Sequence, residues 1–239
     1  MSFETALSTH FANALPAEKF VKDSYEALRL HGFEALNPIA WVSVCRDELT
    51  YPLLENIRHI WGEAFNFSSL AGMLYLGKTG FTAAHHHAPN EDGHERYVYF
   101  ALPHIGIDAA GQIGNCQRSG RKETSPACGA LVSFQQELTS GTLRLDLDPD
   151  DLEQSFLKQR LLRKLTYGQV PSLADLTKIA QTAILEDLER MINYIVDTSR
   201  NHYPDLTGIQ IHGPEEKTFV CPSVMYVVVN GKRQELALS

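Results

Sequence analysis

The sequence predicts an α/β fold, a central and mostly parallel β-sheet flanked by helices, and three observations predict it. Residues 96–102 read Arg-Tyr-Val-Tyr-Phe-Ala-Leu, apolar on both faces, the signature of a strand covered on both sides in a parallel sheet. Trp41-Val42-Ser43-Val44-Cys45 is a shorter run of the same kind. Amphipathic segments of helical period lie between and after such runs.

In chain order, residues 1–15 read as a short helix ending at Leu15-Pro16. Pro16 starts a second helix that sets Phe20, Val21, Ala27, Leu28 and His31 near one face and stops at Gly32. These two form a helical appendage at about residues 1–35 to one domain spanning 1–239, packed over the sheet or over a partner subunit. After the strand ending at Cys45, Pro52 opens an amphipathic helix with Leu53, Leu54, Ile57, Ile60 and Trp61 on one face and Gly62 at its end. Residues 73–76 (Met-Leu-Tyr-Leu) are expected as a strand among tight turns at Gly72, Gly77 and Gly80. Residues 72–79 also spell the phosphate-loop pattern G-x-x-x-x-G-K-[ST]. There the apolar run fills the loop itself, and no helix is expected to begin at Thr79, so the context for nucleotide binding is wrong. His85-His86-His87 falls in an expected polar loop before Pro89.

Proline at 103 has no N–H to donate and is expected to stop the central ladder, leaving His104 just past a strand end. That edge is where open α/β sheets bind ligands. Residues 111–123 form a glycine-bearing, basic connection that contains Arg118. Ser125-Pro126 reads as an N-cap and first helical residue, which puts Cys128 in the first turn of a helix to about Leu138. Asp148 is expected to cap a helix starting at Pro149. Ser172 with Asp175 opens a long helix to about Ser199, striped by Leu173, Leu176, Ala180, Ile184, Leu188, Met191 and Ile195. The tail ends in an Asn230-Gly231 hairpin.

Cys45, His104 and Cys128 thus make a two-sulfur, one-nitrogen set at strand ends and a helix start. Zn2+ favours such donors, and three of them leave a fourth position open. A helix N-terminus also lowers a thiol's pKa. The spacing matches no regular motif, and two core cysteines with a strand-end histidine account for the same residues.

The chain carries 21 basic and 29 acidic residues, a net charge of −8, which argues against nucleic acid or an anionic membrane as the main partner. Its four cysteines are scattered, as in a reducing compartment. With neither a signal-peptide pattern nor an apolar run long enough to span a bilayer, a cytoplasmic location is expected.

Several collinear segments carry a resemblance: Cys45-Arg-Asp-Glu48, Leu70-Ala-Gly72, Gly77-Lys-Thr-Gly-Phe81, His86-His-Ala-Pro89, Pro103-His-Ile-Gly-Ile-Asp108, Gly111-Gln-Ile-Gly114, Arg118-Ser-Gly120 and Ser125-Pro-Ala-Cys-Gly-Ala130. Over roughly residues 40–231 the chain resembles the limiting-CO2-inducible protein B family, divergent β-carbonic anhydrases. The resemblance implies a β-carbonic-anhydrase-like fold, Zn2+ held by Cys45, His104 and Cys128, a homodimer, and reversible hydration of CO2 to bicarbonate. It also implies an Asp–Arg pair beside the metal. Asp47 is the natural aspartate, Arg46 the nearest arginine and Arg118 the next, since Leu49 stands where the usual arginine would be. His86 or His87 is the expected proton carrier, and Leu70 and Phe81 are candidate pocket walls. Ser68-Ser69 precede Leu70 where two glycines would be expected, which also fits a non-catalytic zinc-containing scaffold or binding protein in inorganic-carbon handling.

Overall fold

The computed structural model describes residues 1–238. Its helices are α1 (Phe3–His10), α2 (Ala17–Arg29), α3 (Tyr51–Trp61), α4 (Gly77–His85), α5 (Gly129–Ser140), α6 (Leu152–Leu162) and α7 (Leu173–Ile195). Its strands are β1 (Leu15–Pro16), β2 (Ile39–Val44), β3 (Ala64–Asn66), β4 (Asn90–Glu91), β5 (His94–Glu95), β6 (Tyr97–Leu102), β7 (His104–Gly106), β8 (Asn115–Gln117), β9 (Thr124–Pro126), β10 (Tyr203–His212), β11 (Thr218–Val229) and β12 (Lys232–Glu235). The main sheet runs β1-β11-β10-β6-β2-β3, with β7 added on β10 and β12 on β11. Strands β3, β2, β6 and β10 are parallel, and β11 turns back antiparallel on β10. Strands β4 with β5 and β8 with β9 form two small hairpins.

Alternation along β6 decides the layering. Tyr97, Tyr99 and Ala101 pack with Trp41 and with Phe81, Leu131, Leu157 and Ile184 from α4 to α7. Val98, Phe100 and Leu102 pack with Phe20, Val21, Leu53 and Ile57 from α2 and α3. A strand buried on both faces therefore sits between two helical layers, as its unbroken apolar run demands. Helix α2 covers the sheet directly, and Phe3, Ala6 and Phe11 around α1 pack on Ile105, Ile107, Ile209 and Ile211.

Several local expectations are corrected. Pro103 ends the pairing of β6 with β2 at Leu102, but the strand resumes as β7 on β10 alone. The proline still has a carbonyl, and that accepts from the Gln210 N–H at 2.9 Å. Residues 73–76 are not a strand. The N–H groups of Phe67 and Ser69 take the free carbonyls of Val42 and Val44, so the edge of β2 is already occupied. The chain turns instead through Leu70–Gly72, where Gly72 has φ 73° and a Cβ would stand 2.9 Å from the Leu102 carbonyl oxygen. A helix does begin near the phosphate-loop pattern, at Gly77, but Lys78 lies over the Tyr194 ring at 3.6 Å, and no strand leads into the loop. His85 is the last residue of α4 and not a loop residue. Ser125 and Pro126 belong to β9, and α5 starts at Gly129 with Cys128 as its N-cap. Helix α6 starts at Leu152, and α7 stops at Ile195. No helix among the described residues is long and apolar enough to cross a membrane.

Candidate metal centre

Three elements converge at the C-terminal edge of the parallel strands. Cys45 follows β2 directly, bridges to Ser69, and has its carbonyl held by the Thr50 hydroxyl at 2.8 Å. His104 opens β7, and Cys128 caps α5. All three are buried, and their ligand atoms lie within 4.8 Å of one another. The two sulfurs are 3.8 Å apart. Two thiolates at Zn–S about 2.3 Å in a tetrahedral shell stand about 3.8 Å apart, so the spacing suits that ion.

The histidine makes the stronger case. His104 Nδ1 lies 3.1 Å from His212 Nε2, whereas His104 Nε2 is buried with no hydrogen-bond partner. An orphaned buried nitrogen is costly unless something unseen takes its lone pair. If Nδ1–H donates to His212, Nε2 keeps a free lone pair that could take a metal, the outer-shell arrangement that metal-binding histidines use. These donors fit a zinc ion.

Electrostatics agree. The hydrogen bond from the Cys128 thiol brings the Cys45 pKa down to about 4 against the cost of burial, and His104 and the Asp47 N–H help. Cys128 moves the other way, raised by its hydrogen bond to Cys45 and by burial, although the N–H groups of Leu131 and Ala130 at the start of α5 favour its thiolate. One thiolate forms readily here and a second is opposed by the first. A divalent cation removes that opposition.

Beside the cluster, Asp47 is gripped by Arg118. Nη1 donates to Oδ1 and Nη2 to Oδ2, both at 2.8 Å, and Asp47 Oδ1 also accepts from the Leu49 N–H at 3.2 Å. Burial works against the Asp47 carboxylate, but the bonds and charge of Arg118, the nearby His104 and the Leu49 N–H together outweigh it and hold the pKa well below the usual range. Arg118 is itself positioned by Ser125 Oγ at 2.7 Å and the Pro126 carbonyl at 3.0 Å, and it also donates to Glu48. Arg46, the nearest arginine in sequence, does not reach Asp47. It is exposed and pairs with Glu153 at 2.6 Å and the Ser68 carbonyl at 3.1 Å, and Glu153 also accepts from the Leu70 N–H at 2.8 Å. A cavity of about 270 Å³ borders Arg118 and His212 and is closed partly by Leu49 and Pro52.

The other sequence-derived residues are placed as follows. Phe81 is buried and Leu70 half-buried, both against the apolar cluster that contains Cys45 and Cys128. His86 and His87 are exposed at the end of α4. The buried histidine of the trio is His85, with Nδ1 2.6 Å from the Phe81 carbonyl and Nε2 2.7 Å from the Tyr99 hydroxyl. His212 was missed by sequence reasoning. It ends the run Ile209-Gln-Ile-His, the same polar-ligand-after-apolar-strand signal that singles out His104.

Comparison with known proteins places this geometry. The family model of limiting CO2-inducible proteins B/C β-carbonic anhydrases matches residues 14–229. The chain is similar to the crystal structure of limiting CO2-inducible protein LCIB, at 33% identity and TM-score 0.80 with 98% of each chain covered. It shares its fold with PtLCIB4, an LCIB homologue, at 24% identity and TM-score 0.83, covering 98% of this chain and 100% of that one. No curated protein sequence matches. A mostly parallel sheet with a Cys–His–Cys cluster at its edge, matched over nearly the whole chain, makes this protein a member of the limiting CO2-inducible protein B/C family of β-carbonic anhydrases.

Proposed function

We propose that this protein is a zinc-dependent carbonic anhydrase that interconverts CO2 and bicarbonate. The observation that supports this most directly is the unpartnered Nε2 of His104 facing two clustered cysteine sulfurs, beside an aspartate held ionised by a bidentate arginine. Cys45, His104 and Cys128 would hold Zn2+, which supplies the Lewis acid that lets water ionise near neutral pH.

The chain's own residues do the rest. Asp47, fixed as a carboxylate by Arg118, accepts a hydrogen bond from the attacking water and orients it toward CO2. Arg118, and not Arg46, keeps that acceptor charged and in place. Leu70 and Phe81 wall an apolar space for CO2, a molecule with no net charge. His86 and His87, the expected proton carriers, follow a residue that packs on Trp41 and Tyr97, four and five strand residues before Cys45 and Leu102, so they lie about 13 Å or more along the sheet from the cluster and are not assigned the proton transfer. The small-molecule partners are CO2 and bicarbonate, and the assembly is a homodimer.

Stopped-flow CO2 hydration on zinc-loaded protein tests this. Wild type is expected to exceed the uncatalysed rate. Asp47→Asn is expected to keep its zinc and lose about 10²–10³ in rate, the effect of one preorganised hydrogen bond. Full zinc occupancy with no rate above background favours a zinc-containing scaffold instead.

A further inference from the structure

A second cleft lies away from the metal cluster. It has a volume of about 520 Å³, within the range of small-molecule sites, and none of Cys45, Asp47, His104 and Cys128 lines it. Its walls come from Leu74 and Tyr75 after the Leu70–Gly72 turn, from α6 and its C-terminal end, and from α7.

One wall is cationic. Arg160, Arg163 and Arg190 line it with a single carboxylate, Asp187. Asp187 is shared, its Oδ2 accepting from Arg160 Nε and its Oδ1 from Arg190 Nη2, each at 2.9 Å. Glu186 lies outside the lining and is matched by Lys164 as well as Arg160. Among the described residues Arg163 makes no ion pair and no side-chain hydrogen bond, and it is exposed. Three guanidinium charges against one carboxylate leave the lining at about +2, on a chain whose net charge is −8.

The other wall is apolar and aromatic. The rings of Tyr75 and Phe156 stand 6.0 Å apart between centroids, and Phe156 is 42% exposed although it belongs to a helix with a buried face. The Tyr75 hydroxyl is buried and has no hydrogen-bond partner. Burial, with Glu153 and Asp187 nearby, raises its pKa well above the usual tyrosine range, so the ring carries no charge against a bound anion.

We propose that this cleft binds a phosphate monoester carried on a planar or apolar body, such as a nucleoside monophosphate. A phosphate monoester carries about −1.5 to −2 charges at neutral pH, which complements the lining, whereas a singly charged anion would leave one cation unmatched. Arg163 offers a planar fork suited to phosphate oxygens. Tyr75 and Phe156 provide the surface on which the body lies.

Isothermal titration of the intact protein with adenosine monophosphate, inorganic phosphate and adenosine tests the assignment. Adenosine monophosphate is expected to bind once per chain, phosphate more weakly in competition, and adenosine not measurably. Affinity is expected to fall with added salt. Arg163→Gln, on an exposed side chain, is expected to weaken binding about tenfold or more, and Phe156→Ala several-fold. Arg58→Gln on α3 is expected to leave it unchanged. Unaltered melting temperature and zinc content identify variants that fold, and Arg163→Gln carries the test if Phe156→Ala does not. No heat with millimolar adenosine monophosphate, equal binding of adenosine, or wild-type affinity in Arg163→Gln would each overturn the proposal.

Discussion

At the scale of single residues, the site turns on which arginine serves Asp47. Arg46 is adjacent in sequence, but a residue one position away in an extended segment points to the other side. Arg118 arrives from the β8–β9 hairpin with both nitrogens of its fork aligned on the carboxylate. Removing one partner of such a largely buried pair leaves an uncompensated charge, which costs about 3–5 kcal/mol. Arg118→Ala is therefore expected to lower the urea midpoint markedly and to abolish CO2 hydration. Arg46→Ala, at an exposed pair, is expected to cost under about 1 kcal/mol and to leave the rate nearly intact. Equal losses in the two variants would reject the assignment. His212 is a second residue-scale case. His212→Phe removes the acceptor that holds the His104 tautomer, and zinc affinity measured by chelator competition is expected to fall about 10–100-fold.

At the scale of elements, α4 is anchored through its last residue. His85 is buried among Trp41, Tyr97 and Tyr99, with ring centroids 4.0, 4.4 and 6.1 Å away. Burial lowers its pKa to about 4 from 6.5, only partly offset by the Phe81 carbonyl. The unfolded chain then binds the proton first as pH falls, so this group is neutral in both states above pH 6.5. Its contribution to stability declines between 6.5 and about 4, by up to roughly 3 kcal/mol. Urea unfolding across that window is expected to show a smaller pH slope in His85→Gln than in wild type. Parallel slopes would place the titration elsewhere.

At the scale of the whole molecule, three segments far apart in sequence are held at one sheet edge, and a metal bound by all three would stabilise the fold by mass action. Cys45→Ala, His104→Ala and Cys128→Ala are each expected to lose most of their zinc and to melt earlier than wild type, by elemental analysis and calorimetry. Cys116→Ala and Cys221→Ala are expected to keep full zinc, since neither sulfur belongs to the cluster. Full zinc in any of the first three would remove that residue from the ligand set.

The layered α/β architecture is legible in the chain, because a run such as 97–102 is apolar on both faces and a parallel sheet covered by helices satisfies it. Local composition also brought forward Cys45, His104 and Cys128, because strand ends and helix starts are legible in it, whereas Asp47 came forward through the family resemblance. Tertiary structure decided what depends on contacts between distant segments. The choice of Arg118 over Arg46 comes from a hairpin whose place beside Asp47 no local pattern encodes. Residues 73–76 carry a strand-like pattern, yet the backbone groups they would need on β2 are already used by residues 67–69. Which of three adjacent histidines is buried, and the use of His212 as a partner for His104, likewise depend on neighbours more than ten residues away, and hydrogen bonds of that range exist only once the sheet has formed.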